Sequence, residues 1–160
     1  LYASVNVSPK FGIFRPTWGF NYNQQFFDTR KYGAGKALSK PLLSCSLDNN
    51  FALSETMNAA ISLNAATSNA DGFLMMKSYY SVDLRFDKSF ANRTWIIYLS
   101  ANDIFKTAKE RWTMYGLGSD TIKDCYNYTR CISLQVTYNF NAKRSKYKGT
   151  GAGNEEKSRL

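Results

Sequence analysis

In the stretch from Arg130 to Phe140, Ile132, Leu134, Val136, Tyr138 and Phe140 fall on one parity, and Cys131, Ser133, Gln135, Thr137 and Asn139 on the other. A period of two puts successive side chains on opposite faces of an extended strand, one apolar and one polar. In a soluble sandwich the apolar face turns inward. In an outer-membrane barrel it meets lipid, and the polar face lines the lumen. Alternation alone leaves both open.

The pattern recurs along the chain. Ala3, Val5 and Val7 oppose Ser4, Asn6 and Ser8. Trp18, Phe20, Tyr22 and Phe26 oppose Thr17, Gly19, Asn21, Asn23 and Gln25 within a strand expected over 17–27. Leu43 to Leu53 continues it, with Asn49 interrupting the apolar parity, as do Met57 to Ala65, Ser78 to Phe86 and Trp95 to Asn102. Residues 103–129 show no sustained period. The expectation is seven antiparallel strands of about ten residues, the length a tilted strand needs to cross a bilayer. No apolar run reaches the ~18 residues of a membrane helix.

Connection lengths bear on the choice. Those at 9–14, 54–56 and 87–93 are short, those at 28–41 and 103–129 are long, and 66–73 is intermediate, so longer and shorter ends alternate. Outer-membrane barrels keep short turns on the periplasmic side and longer loops outside. Lipocalin-like soluble barrels sometimes share this asymmetry. Trp18, Phe90, Trp95, Tyr138 and Phe140 gather near the short-turn end, as an interfacial aromatic girdle would. The fold expected is all-β, an antiparallel transmembrane β-barrel wall. Closure needs an even strand number of eight or more, so the remaining wall is expected before Leu1 or from another chain.

Composition narrows function. The chain carries 11 Tyr, 11 Phe and no His, with a net charge of +9. Its basic residues sit in loops and in the tail after Asn141, not along one face, which disfavours nucleic acid as a partner. Lys31 to Ser39 fails the phosphate-loop spacing, because Arg30 and Ala37 stand where Gly and Ser/Thr are required. The segment Gly149 to Gly153 lacks the strand–helix setting of a dinucleotide fingerprint. Without His there is neither a Ser-His-Asp triad nor a Cys/His zinc site, and Asp48, Asp83 and Asp103 show no paired spacing. No enzymatic activity, cofactor or metal is expected. Cys125 and Cys131 lie close enough to form a disulfide in an oxidising compartment, with two free thiols the equal alternative.

Three pieces carry a family resemblance: KSYYSVDLRFDKSFANRTWIIYLSANDIFKT (77–107), TRCISLQVTYNFN (129–141) and KRSKYKGTGAGNEEKSRL (143–160). Within them lie the Lys88-Ser89-Phe90 turn, the run Asn102 to Phe105, Arg130 opening the last strand, and the Gly-rich basic tail. The chain resembles the C-terminal end of the TonB-dependent-receptor-like outer-membrane β-barrel proteins of the Bacteroidetes. The resemblance implies the last seven strands of a barrel of about 22, with residues 1–141 as wall and loops and 142–160 as a basic periplasmic tail. It also implies a plug and a TonB-contacting segment upstream, and uptake of a scarce solute such as a chelate, glycan or peptide. A barrel that scaffolds a surface lipoprotein without transport is the alternative.

The polar parity supplies lumen-facing candidates: Asn21, Asn23 and Gln25 on the second strand, Asp48 and Asn50 on the third, and Asn64 on the fourth. Asp83, Arg85, Asn102, Ser133, Gln135 and Asn139 complete the set. Arg30, Lys31, Tyr32, Lys36, Trp112, Tyr115, Tyr126 and Tyr128 are the extracellular-loop candidates, suited to a ligand mouth or to anionic lipopolysaccharide.

Overall fold

The computed structural model describes residues 1–26, 28–32, 38–116 and 118–140. Seven strands form one antiparallel sheet: β1 (Tyr2–Val7), β2 (Phe14–Asn23), β3 (Leu42–Ser54), β4 (Met57–Ala66), β7 (Tyr79–Phe90), β8 (Trp95–Asn102) and β11 (Cys131–Tyr138). Their spatial order is their chain order. Each neighbouring pair is a meander step, so successive strands need only a hairpin or loop to pair. A second sheet, in the order β10-β9-β6-β5, is built from β5 (Asn69–Asp71), β6 (Leu74–Met76), β9 (Lys109–Tyr115) and β10 (Asp120–Tyr126).

The seven strands read from periodicity are the seven of the large sheet. The second sheet was not legible, because in β9 Glu110, Trp112 and Met114 alternate with Arg111, Thr113 and Tyr115. Both faces mix polar with apolar, since neither has to satisfy a uniform solvent. Boundaries also move. β2 begins at Phe14 and takes in Pro16, which pairs with Asn49 of β3. β1 stops at Val7 opposite Trp18, so at Pro16 the strand has a ladder neighbour on one side only, where a missing N–H is tolerated. β7 runs on to Phe90, so Lys88-Ser89-Phe90 is strand and not turn. The turn follows, with Ala91, Asn92 and Arg93 all left-handed (φ 48°, 53° and 66°).

Long and short connections segregate to opposite ends. The links after β1, β3 and β7 lie at one end; those after β2, β4 and β8, including the whole second sheet, lie at the other. Among the described residues β1 and β11 each pair on one side only, so the sheet is open. Burial follows the same division. Thr29, Leu38, Asn69, Ala70 and Asp103 are buried in the long-loop end, whereas in the wall only Pro16, Gly19 and Ala60 are. The wall is a single layer whose apolar face stays uncovered, with Ile61 44% and Leu134 68% exposed. Among the described residues no helix is long and apolar enough to cross a membrane.

Candidate functional site

Register assigns the faces. Leu47, Leu63 and Val82 form one cross-strand row, and Phe51, Ala59, Phe86, Leu99 and Leu134 another, all on the apolar face. Toward the turn end the rows become aromatic. Phe14 stacks on Phe51 at 5.0 Å between centroids, Trp95 lies 4.5 Å from Tyr138, and Phe140 meets Tyr138 edge-on at 4.5 Å. Asn49 and Lys88 interrupt this face, and Asn49 accepts a hydrogen bond from Trp18 Nε1 at 3.0 Å. The indole thus satisfies the amide oxygen where water is scarce.

The opposite face is a hydrogen-bonded polar surface. Ser62 donates to Asp48 Oδ1 at 2.5 Å, Arg85 to Asn50 Oδ1 at 3.4 Å, Asn58 to Asp87 Oδ2 at 2.7 Å, and Asn21 to Ser44 Oγ at 3.5 Å. Asp48, Ser62 and Asp83 share one row, which puts the two carboxylates two strands, roughly 10 Å, apart. Asn21, Asn23, Asp48, Asn50, Asn64, Asp83, Arg85, Asn102, Ser133 and Gln135 all belong to this face by register. Two candidates have different positions. Gln25 lies past the end of β2, donating to Leu38 O at 2.9 Å and accepting from Gly72 N at 2.7 Å, so it braces two loops. Asn139 lies past β11 and donates to Arg93 O at 2.9 Å, tying down the left-handed turn.

Two of the three aspartates read as isolated in the sequence, Asp83 and Asp103, are joined through a backbone N–H. Asp103, at the first residue after β8, donates its N–H to Asp83 Oδ1 at 2.7 Å. Its own side chain, 1% exposed, accepts from Thr107 N at 2.8 Å, Ala108 N at 3.2 Å and Thr129 Oγ at 2.8 Å. Burial raises its pKa most of any single cause, but the donors from Thr107, Thr129, Tyr126 and Ala108 together outweigh it and hold the carboxyl below its ordinary value. A charged Asp103 with all its donors fixes both ends of the 103–130 excursion to the wall.

Above the polar face the loops form a mouth. A cavity of about 370 Å³ between Asn23, Gln25, Ser44, Asn69, Met76 and Tyr79 adjoins one of about 270 Å³ that shares Asn69, Met76 and Tyr79. The second adds Lys77, Lys109, Glu110, Arg111, Trp112 and Asn127. Trp112 is the one aromatic candidate that reaches it. It donates to Glu110 Oε1 at 2.9 Å, while Lys123 Nζ lies 2.7 Å from that oxygen. Lys123 first, then Trp112 and Asn127, pull the Glu110 carboxyl down to about 2. Tyr126 is engaged by Lys106 over its ring, by Arg130 N at its hydroxyl and by the Tyr128 ring edge-on at 5.9 Å, Tyr32 and Tyr128 are largely exposed, and Tyr115 pairs with Asp120. Arg30 is tied to Asp28 at 3.1 Å beside the exposed Lys31. Lys36 and the tail 142–160 lie outside the described residues. Asn69, Met76, Lys77, Tyr79, Lys109 and Arg111 went unrecognised, since none stands out until the two loops pair.

The cysteine bridge does not form. Cys125 sits on β10 opposite Glu110 and Cys131 on β11 opposite Asn102, in different sheets, and both are free. Asn102 Nδ2 donates to Cys131 Sγ at 3.4 Å, and Cys125 Sγ to Asn127 Oδ1 at 3.3 Å.

A family model for the Outer membrane protein beta-barrel family matches residues 1–138. The chain belongs to that family. This outer-membrane β-barrel protein is therefore at home in the bacterial outer membrane, in contact with lipid. No curated protein and no solved structure matches it. Membership accounts for a one-layer sheet with an uncovered apolar face, since lipid takes the place of a protein core.

Proposed function

We propose that the chain is the C-terminal wall of a TonB-dependent receptor that takes up a scarce solute such as a chelate, glycan or peptide. In this reading the apolar face meets lipid and the polar row through Asp48, Ser62 and Asp83 lines the lumen, where it docks a plug contributed by further chain. The long-loop end is extracellular, and the adjoining cavities around Asn69 and Tyr79 are part of the ligand mouth. The role is binding and passage, not catalysis. The observation that carries the reading is the seating of the long loops as a packed, hydrogen-bonded cap directly over the polar face, with Lys77, Lys109 and Arg111 around the opening. A barrel serving only as an anchor has no use for a shaped mouth above its lumen.

The test uses the full-length protein. Detergent-purified receptor should retain the periplasmic domain of TonB, and deleting the gene should abolish growth on one class of limiting solute. A full-length chain with neither plug nor TonB-binding segment overturns the reading.

A further inference from the structure

The apolar face is not uniformly convex. Along the row Val5, Phe20, Cys45, Ala65, Tyr80, the two central side chains are small and their neighbours are rings. Over β3 and β4 this leaves a groove of about 540 Å³ floored by Cys45 and Ala65 and walled by Val5, Phe20, Tyr22 and Leu43. The groove lies in the half of the wall next to the long loops. A second cavity of about 470 Å³ shares its Leu43, Thr67 and Ser78 and adds Lys40, Pro41 and Ser68. Lys40 is exposed and donates from Nζ to Ser68 Oγ, and among the described residues no carboxylate pairs with it. Arg111 Nη2 donates at 2.9 Å to the carbonyl of Ser78, which lines both cavities, but its side chain lines the mouth above the polar face, so Lys40 is the cation that lines the junction.

An apolar trough that ends beside an exposed cation without a carboxylate partner among the described residues matches an amphiphile with an acyl chain and an anionic head. We propose that this is a site for a phosphorylated glycolipid of the outer leaflet, one acyl chain lying over Cys45 and Ala65 and a phosphate at Lys40, on the reading that the long-loop end faces outward. A smooth wall holds lipid only as a fluid annulus. Here the dip excludes neighbouring chains and Lys40 supplies a charge-assisted contact at headgroup level. The anion site moves away from Arg30, whose guanidinium already has Asp28 as partner.

Full-length protein is extracted from outer membranes in mild detergent, and bound lipid is read by native mass spectrometry. Purified diphosphorylated lipid A and its dephosphorylated form serve as probes for rebinding. Fold is checked by heat-modifiable migration. Lys40→Gln and Ala65→Phe should each cut retained lipid A by about tenfold, with Lys31→Gln unchanged, and the dephosphorylated probe should not distinguish Lys40→Gln from the parent. Should Ala65→Phe not assemble, Lys40→Gln alone decides. Equal retention in folded Lys40→Gln, an equal loss in Lys31→Gln, or a bound phospholipid in place of the glycolipid overturns the site. An epitope inserted after Ser119 reads orientation separately. Detection only after lysis overturns the outward assignment, whereas detection on intact cells with unchanged lipid retention overturns the groove alone.

Discussion

The wall and the loop cap differ in what they bury. In the wall, Ile61, Leu84 and Leu99 are exposed at mid-sheet, while the closed positions are small or backbone-restricted residues such as Gly19 and Ala60. In the cap Leu38 and Ala70 are inside and polar Thr29 and Asp103 are buried with hydrogen-bond partners, although Phe105 and Ile122 stay exposed. One chain thus folds against two solvents, and the border runs through the ends of β2, β4 and β8. What stabilises each half differs accordingly: apolar contact with lipid below, hydrogen-bond satisfaction above.

A charge on the lipid side should separate the halves most sharply. Ile61→Arg is expected to destabilise the full-length barrel by roughly 2–4 kcal/mol, as for a basic residue near the bilayer midplane, whereas Asn64→Arg on the polar face should stay within about 1 kcal/mol. Urea unfolding of vesicle-inserted protein measures both, and equal effects would break the assignment of faces.

Asp103→Ala strikes the cap instead. Thr107 N–H, Ala108 N–H and the Thr129 hydroxyl lose their acceptor, at about 1–3 kcal/mol for each donor left dry. Hydrogen exchange should show 103–130 opening while β3 and β4 keep their protection. Loss of protection in both would mean that the halves fold as one unit.

A smaller change tests Asn49, a polar side chain on the apolar face. Trp18→Phe removes the donor to Asn49 and should cost about 1–2 kcal/mol. In an Asn49→Leu background the same substitution should cost less, and a double-mutant cycle in the vesicle assay gives the coupling.

The least effect is expected from pH. The folded Glu110 carboxyl sits at about 2 against an ordinary 4.5, so its partners stabilise the β9–β10 hairpin above pH 4.5. That contribution fades as pH falls from about 4.5 toward 2, modestly because the pair is solvent-exposed. Tryptophan fluorescence at Trp112 should report the loosening, and Glu110→Gln should abolish its pH dependence.

The wall was legible because lipid on one side and water on the other impose a period of two, which the seven strands of the large sheet follow with exceptions such as Asn49 and Lys88. Where the constraint stops, so does legibility. β9 and β10 pair through backbone, with Trp112 and Glu110 chosen for each other and not for a common solvent. The same limit hid Asn69, Tyr79 and Arg111, which acquire a role only when the 67–78 and 103–130 loops meet. The polar row was readable residue by residue, but the Asp83 to Asp103 link was not, since it depends on β8 ending one residue before a left-handed position (φ 45°).

That link makes the wall and the mouth mechanically continuous. Asp83 holds the first backbone N–H of the longest loop, so a displacement of this carboxylate on the wall is passed to the base of the loop above across a single hydrogen bond of 2.7 Å.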